Sequence, residues 1–134
     1  MTLLFDASAI YNVILRFDEK CYTKFRGNFS ISLVFYELGN VPWKHLARGN
    51  ISQKEALDIL AIVEKLPSVL TIIPLDTSDM KHIFSVAASN SITFYDASYV
   101  YYARQRGLDL VTDDERFEKA ARKLVGVHAS RSLP

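Results

Sequence analysis

The sequence predicts an α/β fold, a three-layer α/β/α sandwich in which a mostly parallel central sheet lies between two layers of helices. Short apolar runs alternate along the chain with longer segments of helical periodicity. Parallel strands need helical crossovers, which place helices on both faces of the sheet. No linker, charge block or internal repeat divides the 134 residues, so we expect one domain over residues 1–134.

The first part of the chain supplies two strands and two helices. Residues 2–5 form an apolar run that stops at an aspartate, and apolar side chains then recur at helical spacing over residues 7–15. The second predicted strand covers residues 28–33. A long helix follows over residues 34–48, and we expect it to be kinked or restarted near Pro42, because proline removes a backbone donor.

Helix-capping and helix-stopping residues mark the next elements. Ser52, with Glu55 three residues later, forms a capping box, and the helix that it begins ends before Pro67. Residues 70–74 are the third predicted strand, and residues 76–88 are predicted to be helical.

The last predicted elements are a helix, a strand and a helix. Thr93 begins the first helix, which reaches Arg106 and is closed by Gly107. The strand covers residues 108–112, and the final helix covers residues 114–123. Folds of this kind bind ligands at the carboxyl ends of their strands, so polar residues directly after a strand are site candidates.

Acidic residues follow two of these strands. Asp6 comes directly after the first strand, where an aspartate is equally suited to cap the next helix or to bind a metal. Asp113 and Asp114 follow the last strand. Two adjacent acids point in different directions, so one caps or faces solvent while the other enters a cleft. We assign the cleft position to Asp114.

Two further acids lie within predicted helices. Glu37 is surrounded by apolar residues, and a buried carboxylate is tolerated when it is paired, protonated or bound to a metal. Asn40, one turn on, shares its face. Asp96 stands three residues after Thr93, which allows a capping box, but the aromatic residues around it predict a helix buried along much of its circumference. Capping and a functional role both stay open for Asp96.

A metal cluster is the one hypothesis that accounts for all four acids. Asp6, Glu37, Asp96 and Asp114 each adjoin an apolar strand or helix, and their mutual repulsion requires a cation. Oxygen ligands without histidine or thiolate partners favour Mg²⁺ or Mn²⁺ over zinc. None of the three histidines has metal-ligand spacing to another.

Composition bears on partners and compartment. Sixteen basic and fifteen acidic residues leave a formal charge of +1, so any RNA site must come from local patches. Arg116, Lys119 and Lys123 fall at helical spacing just past Asp114 and are the preferred phosphate contacts. The lone Cys21 excludes an internal disulfide, and the sequence shows no signal peptide or membrane span. We therefore expect a cytoplasmic protein with no membrane partner.

Four short motifs carry a resemblance to a known family. Their order and spacing resemble the PIN-domain family and, more narrowly, the VapC ribonuclease toxins of prokaryotic toxin-antitoxin pairs, over nearly the whole chain. The motifs are Phe5-Asp6-Ala7-Ser8, Tyr36-Glu37-Leu38-Gly39-Asn40, Tyr95-Asp96-Ala97-Ser98-Tyr99 and Thr112-Asp113-Asp114-Glu115-Arg116-Phe117.

The resemblance implies a metal-dependent endoribonuclease that hydrolyses RNA phosphodiester bonds. It implies that Asp6, Asp96 and Asp114 bind Mg²⁺ or Mn²⁺, and that Glu37 holds a second ion or orients the attacking water. The residues expected to fix the carboxylates or to contact a phosphate are Ser8, Asn40, Thr112 and Arg116. Ser8 and Thr112 are equally suited to be ordinary helix caps.

The resemblance also implies protein partners. A toxin of this kind has a cognate antitoxin whose tail covers the acidic cleft, and it forms a homodimer. Tyr11, Tyr99 and Tyr102 are either core residues or line a dimer or partner groove. The alternatives are a PIN-fold RNA-processing nuclease and a noncatalytic RNA- or protein-binding module. A phosphoacceptor receiver domain would need a lysine at a strand end, which residues 70–74 lack.

Overall fold

Five short strands form a single sheet in which every neighbouring pair is parallel, in the computed structural model that describes residues 1–134. The strand order is β3-β2-β1-β4-β5. The strands are β1 (Leu3–Phe5), β2 (Phe29–Ile31), β3 (Thr71–Ile73), β4 (Asp109–Val111) and β5 (Val127–His128).

Helices cover both faces of this sheet, as the sequence predicts for parallel strands. One layer consists of α1 (Ala7–Phe17), α2 (Tyr22–Phe25), α3 (Leu33–Ala47) and α4 (Gln53–Glu64). The other layer consists of α5 (Met80–Asn90), α6 (Phe94–Arg106) and α7 (Glu115–Ala121). The predicted three-layer α/β/α sandwich is confirmed.

The two hydrophobic cores explain why the sequence of a central strand is a continuous apolar run. Leu3 and Phe5 of β1 belong to the core under the first helix layer, whereas Leu4 between them belongs to the core under the second layer. All three side chains are buried. A strand with helices on both faces cannot show the polar alternation of a half-exposed strand.

Several predicted boundaries are confirmed by specific contacts. The Ser52 hydroxyl accepts a hydrogen bond from the Glu55 backbone at 3.1 Å, and the Glu55 carboxylate accepts one from the Ser52 backbone at 3.0 Å. Thr93 caps α6, and Gly107 ends it in the left-handed conformation at φ +66°.

Other boundaries differ from the prediction. The second strand ends at Ile31, and α3 begins at Leu33 and continues through Pro42 without a second start. A 3-10 turn over Thr77–Asp79 precedes α5. Residues 18–25 form helical turns that the sequence did not predict. The strand β5 was also missed, because two residues carry no periodicity of their own.

The chain changes direction in the sheet between β1 and β4. From β1 it adds β2 and β3 on one side, and it then crosses to place β4 and β5 on the other side. Such a switch point leaves a crevice beyond the carboxyl ends of the two strands, where ligands bind in open α/β sheets. Asp6 follows β1, and Thr112 follows β4. None of the helices has the length and apolar character needed to cross a bilayer.

Candidate functional site

The Asp6 carboxylate lies at the switch point and is almost completely buried, at 5% exposure. Its Oδ1 accepts hydrogen bonds from the Ala9 backbone at 2.9 Å and from the Ser8 hydroxyl at 2.7 Å. Its Oδ2 accepts one from the hydroxyl of Thr112, which follows the neighbouring strand β4. Asp6 therefore does cap α1, but the cap occupies Oδ1 and leaves a lone pair on Oδ2.

Burial raises the pKa of Asp6 from its ordinary value of 3.8 to about 7. The hydroxyls of Thr112 and Ser8 and the backbone of Ala9 oppose this rise, while the charge of Glu37 adds to it. A carboxyl group with this pKa binds a proton near neutral pH unless a cation takes the proton's place.

Two hydroxyl groups connect the end of β1 to the segment after β4. The Ser8 and Thr112 oxygens are 3.3 Å apart, and both hydroxyls bind Asp6. Ser8 also accepts a hydrogen bond from the Asp113 backbone at 2.9 Å, and Thr112 accepts one from the Asp114 backbone at 3.2 Å. The hydroxyls thus position both Asp6 and the start of the acidic segment.

The adjacent acids after β4 point in different directions, as the sequence predicts. Asp113 accepts hydrogen bonds from the Ser130 backbone at 2.7 Å and from the Asn12 side chain at 2.9 Å. Asp114 caps α7 through Oδ1, which accepts from the backbone N–H groups of residues 116 and 117 at 3.0 Å each. The charge of Asp114 raises the pKa of Asp96, so the Asp114 carboxylate lies near Asp96.

Glu37 reaches this edge from the first helix layer and meets Tyr99 of the second. The Tyr99 hydroxyl donates a hydrogen bond of 2.6 Å to Oε1 of the half-buried Glu37. Burial raises the pKa of Glu37, and the hydrogen bond from Tyr99 opposes the rise. Sequence reasoning placed Tyr99 in the third motif but assigned it no role in the site, and its position three residues after Asp96 was the available signal.

Asp96 lies at the amino end of α6 and is half-buried. Its backbone N–H donates to the Thr93 hydroxyl at 3.0 Å, but its carboxylate makes no reciprocal bond to the Thr93 backbone, so the possible capping box is only half formed. Burial, followed by the charges of Asp114 and Glu37, raises the pKa of Asp96 to about 6. The charge of Glu37 therefore acts on both Asp6 and Asp96, and the charge of Asp114 acts on Asp96.

The donor chemistry fits a hard divalent cation, although the side chains do not form a ready ligand group. No salt bridge from lysine, arginine or histidine compensates any of the four carboxylates. At the same time, no three histidine, cysteine, aspartate or glutamate side chains lie close enough together to hold a metal ion as they are placed. Metal binding stays a prediction.

The remaining predicted site residues have different surroundings. Asn40 is exposed and makes no hydrogen bond to the acids. Arg116 is exposed and lines an open cleft together with Asp96, Asp114, Lys119 and Lys123. The cleft thus has an acidic part and a basic part.

The three tyrosines considered for a partner groove belong to the core. Tyr11, Tyr99 and Tyr102 are 8%, 1% and 2% exposed. Tyr102 forms part of the wall of an apolar cavity of about 220 Å³, but its hydroxyl is bound to Asp76 and Asp79. Tyr11 and Tyr99 are therefore core residues, whereas the buried Tyr102 also lines the apolar cavity.

The fold and this edge together define a class of protein, a three-layer α/β/α domain with an acidic cleft at the switch point of a parallel sheet. The family model of the PIN domain matches residues 3–123. The chain therefore belongs to the PIN domain family.

Named relatives and solved structures agree with this assignment. Exonuclease VapC9 of Pyrobaculum aerophilum is 38% identical over 112 residues, which cover 83% of this chain and 79% of that protein. Ribonuclease VapC3 of the same organism is 28% identical over 130 residues, covering 93% and 98%. The crystal structure of PAE2754 from Pyrobaculum aerophilum has a TM-score of 0.80 at 27% identity and covers 99% of this chain and 95% of that one.

A more distant structure shares the fold. FitAcB from Neisseria gonorrhoeae matches with a TM-score of 0.60 at 17% identity, covering 98% of this chain and 99% of that one. The relatives named VapC are nucleases, one called an exonuclease and the other a ribonuclease.

We predict that Asp6→Asn stabilises the metal-free protein more strongly as the pH rises. The unfolded chain loses the Asp6 proton near pH 3.8 and the folded chain near pH 7, so the wild type loses stability across this interval. Asparagine stays neutral. The free energy of unfolding that the wild type loses across this interval is about 4 kcal/mol at most, at 1.36 kcal/mol for each pKa unit.

Urea unfolding in EDTA at pH 4.5, 6 and 8 measures this effect. The exposed Asp58→Asn on α4 is the control, and it should change stability by an amount that does not depend on Asp6 titration. If the difference in free energy of unfolding between Asp6→Asn and the wild type is the same at all three pH values, Asp6 is not a buried ionisable group.

Proposed function

We propose that this PIN domain is a metal-dependent endoribonuclease, the toxin of a toxin-antitoxin pair, that hydrolyses RNA phosphodiester bonds at the acidic edge of the sheet. The observation that carries the proposal is the group of four carboxylates at this edge of the sheet, which have no cationic partner. The charge of Glu37 raises the pKa of Asp6, and the charges of Asp114 and Glu37 raise the pKa of Asp96. The lone buried Cys21 suits a reducing cytoplasm.

Asp6, Asp96 and Asp114 are the proposed ligands of Mg²⁺ or Mn²⁺. Each is a hard oxygen donor, and the caps formed by Asp6 and Asp114 use only Oδ1 for the helix backbone. When bound, the cation supplies an activated water and stabilises the charge that develops on the phosphate oxygens. Glu37 holds a second ion or orients the water, and Ser8 and Thr112 fix Asp6.

The RNA backbone is proposed to lie along α7. Arg116, Lys119 and Lys123 are exposed, line the same cleft as Asp96 and Asp114, and are engaged in no salt bridge. Phosphate contacts of this kind position a nucleic acid without reading its sequence.

The alternatives are a PIN-fold RNA-processing nuclease and a noncatalytic RNA- or protein-binding module. A noncatalytic module has no need for a group of carboxylates without cationic partners, so the uncompensated acids favour an enzyme. An RNA-processing nuclease would keep the same site but would not require an antitoxin.

A homodimer and a cognate antitoxin are the proposed protein partners. Large apolar side chains are exposed around the apolar cavity beside α3 and α6, and contiguous exposed apolar surface marks protein interaction sites. We assign this apolar face to the second copy of the chain. Its exposed members are Tyr36, Leu75, Met80, Phe84 and Tyr95. The antitoxin tail would instead cover the acidic cleft and place a basic side chain there.

We expect the purified protein to cut single-stranded RNA with Mg²⁺ or Mn²⁺ and not with EDTA. Asp96→Asn removes a charged oxygen ligand and should lower kcat by at least a hundredfold, corresponding to about 3 kcal/mol of barrier. A circular single-stranded RNA separates the modes of attack, because only an endonuclease can open it. If only the linear RNA is cut, the protein is an exonuclease and not the proposed endonuclease.

The matched control is Asp113→Asn, which changes the adjacent acid that faces away from Asp96. It should retain cleavage within a few-fold. Growth arrest on expression of the wild type, absent with Asp96→Asn, is expected of a toxin. Cleavage without arrest would favour the RNA-processing nuclease, and metal-dependent cutting that survives Asp96→Asn would indicate a contaminant.

Replacing Arg116, Lys119 and Lys123 by alanine should raise KM for RNA and leave kcat within about twofold. Each lost phosphate contact should also lower the slope of log KM against log salt concentration by about 0.7 for a single strand. Lys65→Ala, an exposed lysine outside this cleft, is the control. Equal KM values for all variants would exclude α7 as the path of the backbone.

The proposed dimer is tested by Phe84→Glu, which places a charge on the apolar face. We expect sedimentation to give a dimer mass for the wild type and a monomer mass for the variant. Leu57→Glu on α4 is the control, because Leu57 is also an exposed leucine, at 56%, but lies outside this face. A Phe84→Glu protein with the wild-type mass would place the interface elsewhere.

A further inference from the structure

Tyr99 is a buried polar residue that the proposed mechanism does not use. Its ring is 1% exposed in the core beneath the second helix layer, and its hydroxyl points to the acidic edge of the sheet. There the hydroxyl donates the 2.6 Å hydrogen bond to Oε1 of Glu37. This is the only hydrogen bond that the Glu37 side chain makes.

The Tyr99 hydroxyl acts only as a donor toward Glu37. Burial raises its pKa far above the ordinary value, and the charges of Glu37 and Asp6 raise it further, while the backbone of Ala7 acts in the opposite direction. A phenol that keeps its proton beside a carboxylate forms a charge-assisted hydrogen bond, which is shorter and stronger than a neutral one.

Glu37 needs such an anchor more than the other three acids do. Asp6 and Asp114 are held by backbone N–H groups of the helices that they cap. Asp96 has the shorter aspartate side chain. Glu37 has a longer side chain, its helix α3 lies across the sheet from α6, and an unanchored glutamate would keep its rotamer freedom. Yet its charge acts on both Asp6 and Asp96.

We propose that Tyr99 is a positioning residue of the nuclease site, whose hydroxyl holds the Glu37 carboxylate beside Asp6 and Asp96. The inference rests on the proposed function and deepens it. One hydroxyl thereby joins the two helix layers at the acidic edge of the sheet, and Glu37 is oriented before RNA or a cation binds.

The test compares Tyr99→Phe with Tyr102→Phe. Both remove one buried hydroxyl from α6, but the Tyr102 hydroxyl binds Asp76 and Asp79, away from Glu37. We expect Tyr99→Phe to lower kcat by about 10- to 100-fold, the usual effect of removing a group that orients a ligand. KM for RNA should stay within twofold, and Tyr102→Phe should keep both constants.

A double-mutant cycle with Glu37→Gln shows whether Tyr99 acts through Glu37. The double variant should be no slower than Glu37→Gln alone, because the tyrosine then has no carboxylate left to position. Effects on kcat that multiply, or a Tyr99→Phe enzyme with the wild-type kcat, would overturn the proposal.

The same four proteins are also unfolded in urea without metal, which gives a result that does not depend on activity. The stability losses of Tyr99→Phe and Glu37→Gln should be non-additive, and additive losses would overturn the contact on which the inference depends. If the wild type cuts no RNA, the proposed function fails, and the unfolding cycle still decides whether Tyr99 holds Glu37.

Discussion

The burial of the Asp6 carboxylate at the carboxyl ends of β1 and β4 is the constraint on which the site depends. A charged group at such a place is costly unless polar groups surround it, and the α1 backbone, Ser8 and Thr112 supply them. The hydrogen bond from Thr112 joins the ends of the two strands. It therefore also determines where the chain turns toward Asp114. The sheet register and the starts of α1 and α7 are thus linked to one side chain.

Capping and ligand binding are compatible on a single aspartate, because a carboxylate has two oxygens. Asp6 and Asp114 both give Oδ1 to a helix backbone, and the Oδ2 of Asp114 accepts no hydrogen bond. The positive end of a helix stabilises a nearby negative charge, so the cap offsets part of the repulsion among the acids. The two interpretations that the sequence left open for Asp6 are consequently both allowed by the structure.

Local signals account for what could be predicted from the sequence. The Ser52 capping box and the Gly107 helix end depend on residues that are close together in the chain. Short apolar runs that alternate with helical segments predicted the parallel sheet. The different directions of the Asp113 and Asp114 side chains were also predicted, because the two residues are adjacent in the chain. The contact of Tyr99 with Glu37 was not, because the two residues are 62 positions apart and meet only when both helix layers pack. The exposure of Asn40 also depends on how α3 packs against the rest of the fold, so no local sequence pattern indicates it.

The pairing of β1 with β4 has a consequence for synthesis of the chain on the ribosome. Asp6 and Thr112, which the pairing brings together, are 106 residues apart. A nascent chain that has released β1, β2 and β3 already carries Asp6 and Glu37, but it lacks the strand that completes the acidic edge. The site is assembled only after β4 has emerged and inserted beside β1. A chain truncated before β4 would therefore carry Asp6 and Glu37 without Thr112 and Asp114, so it would lack the complete acidic edge.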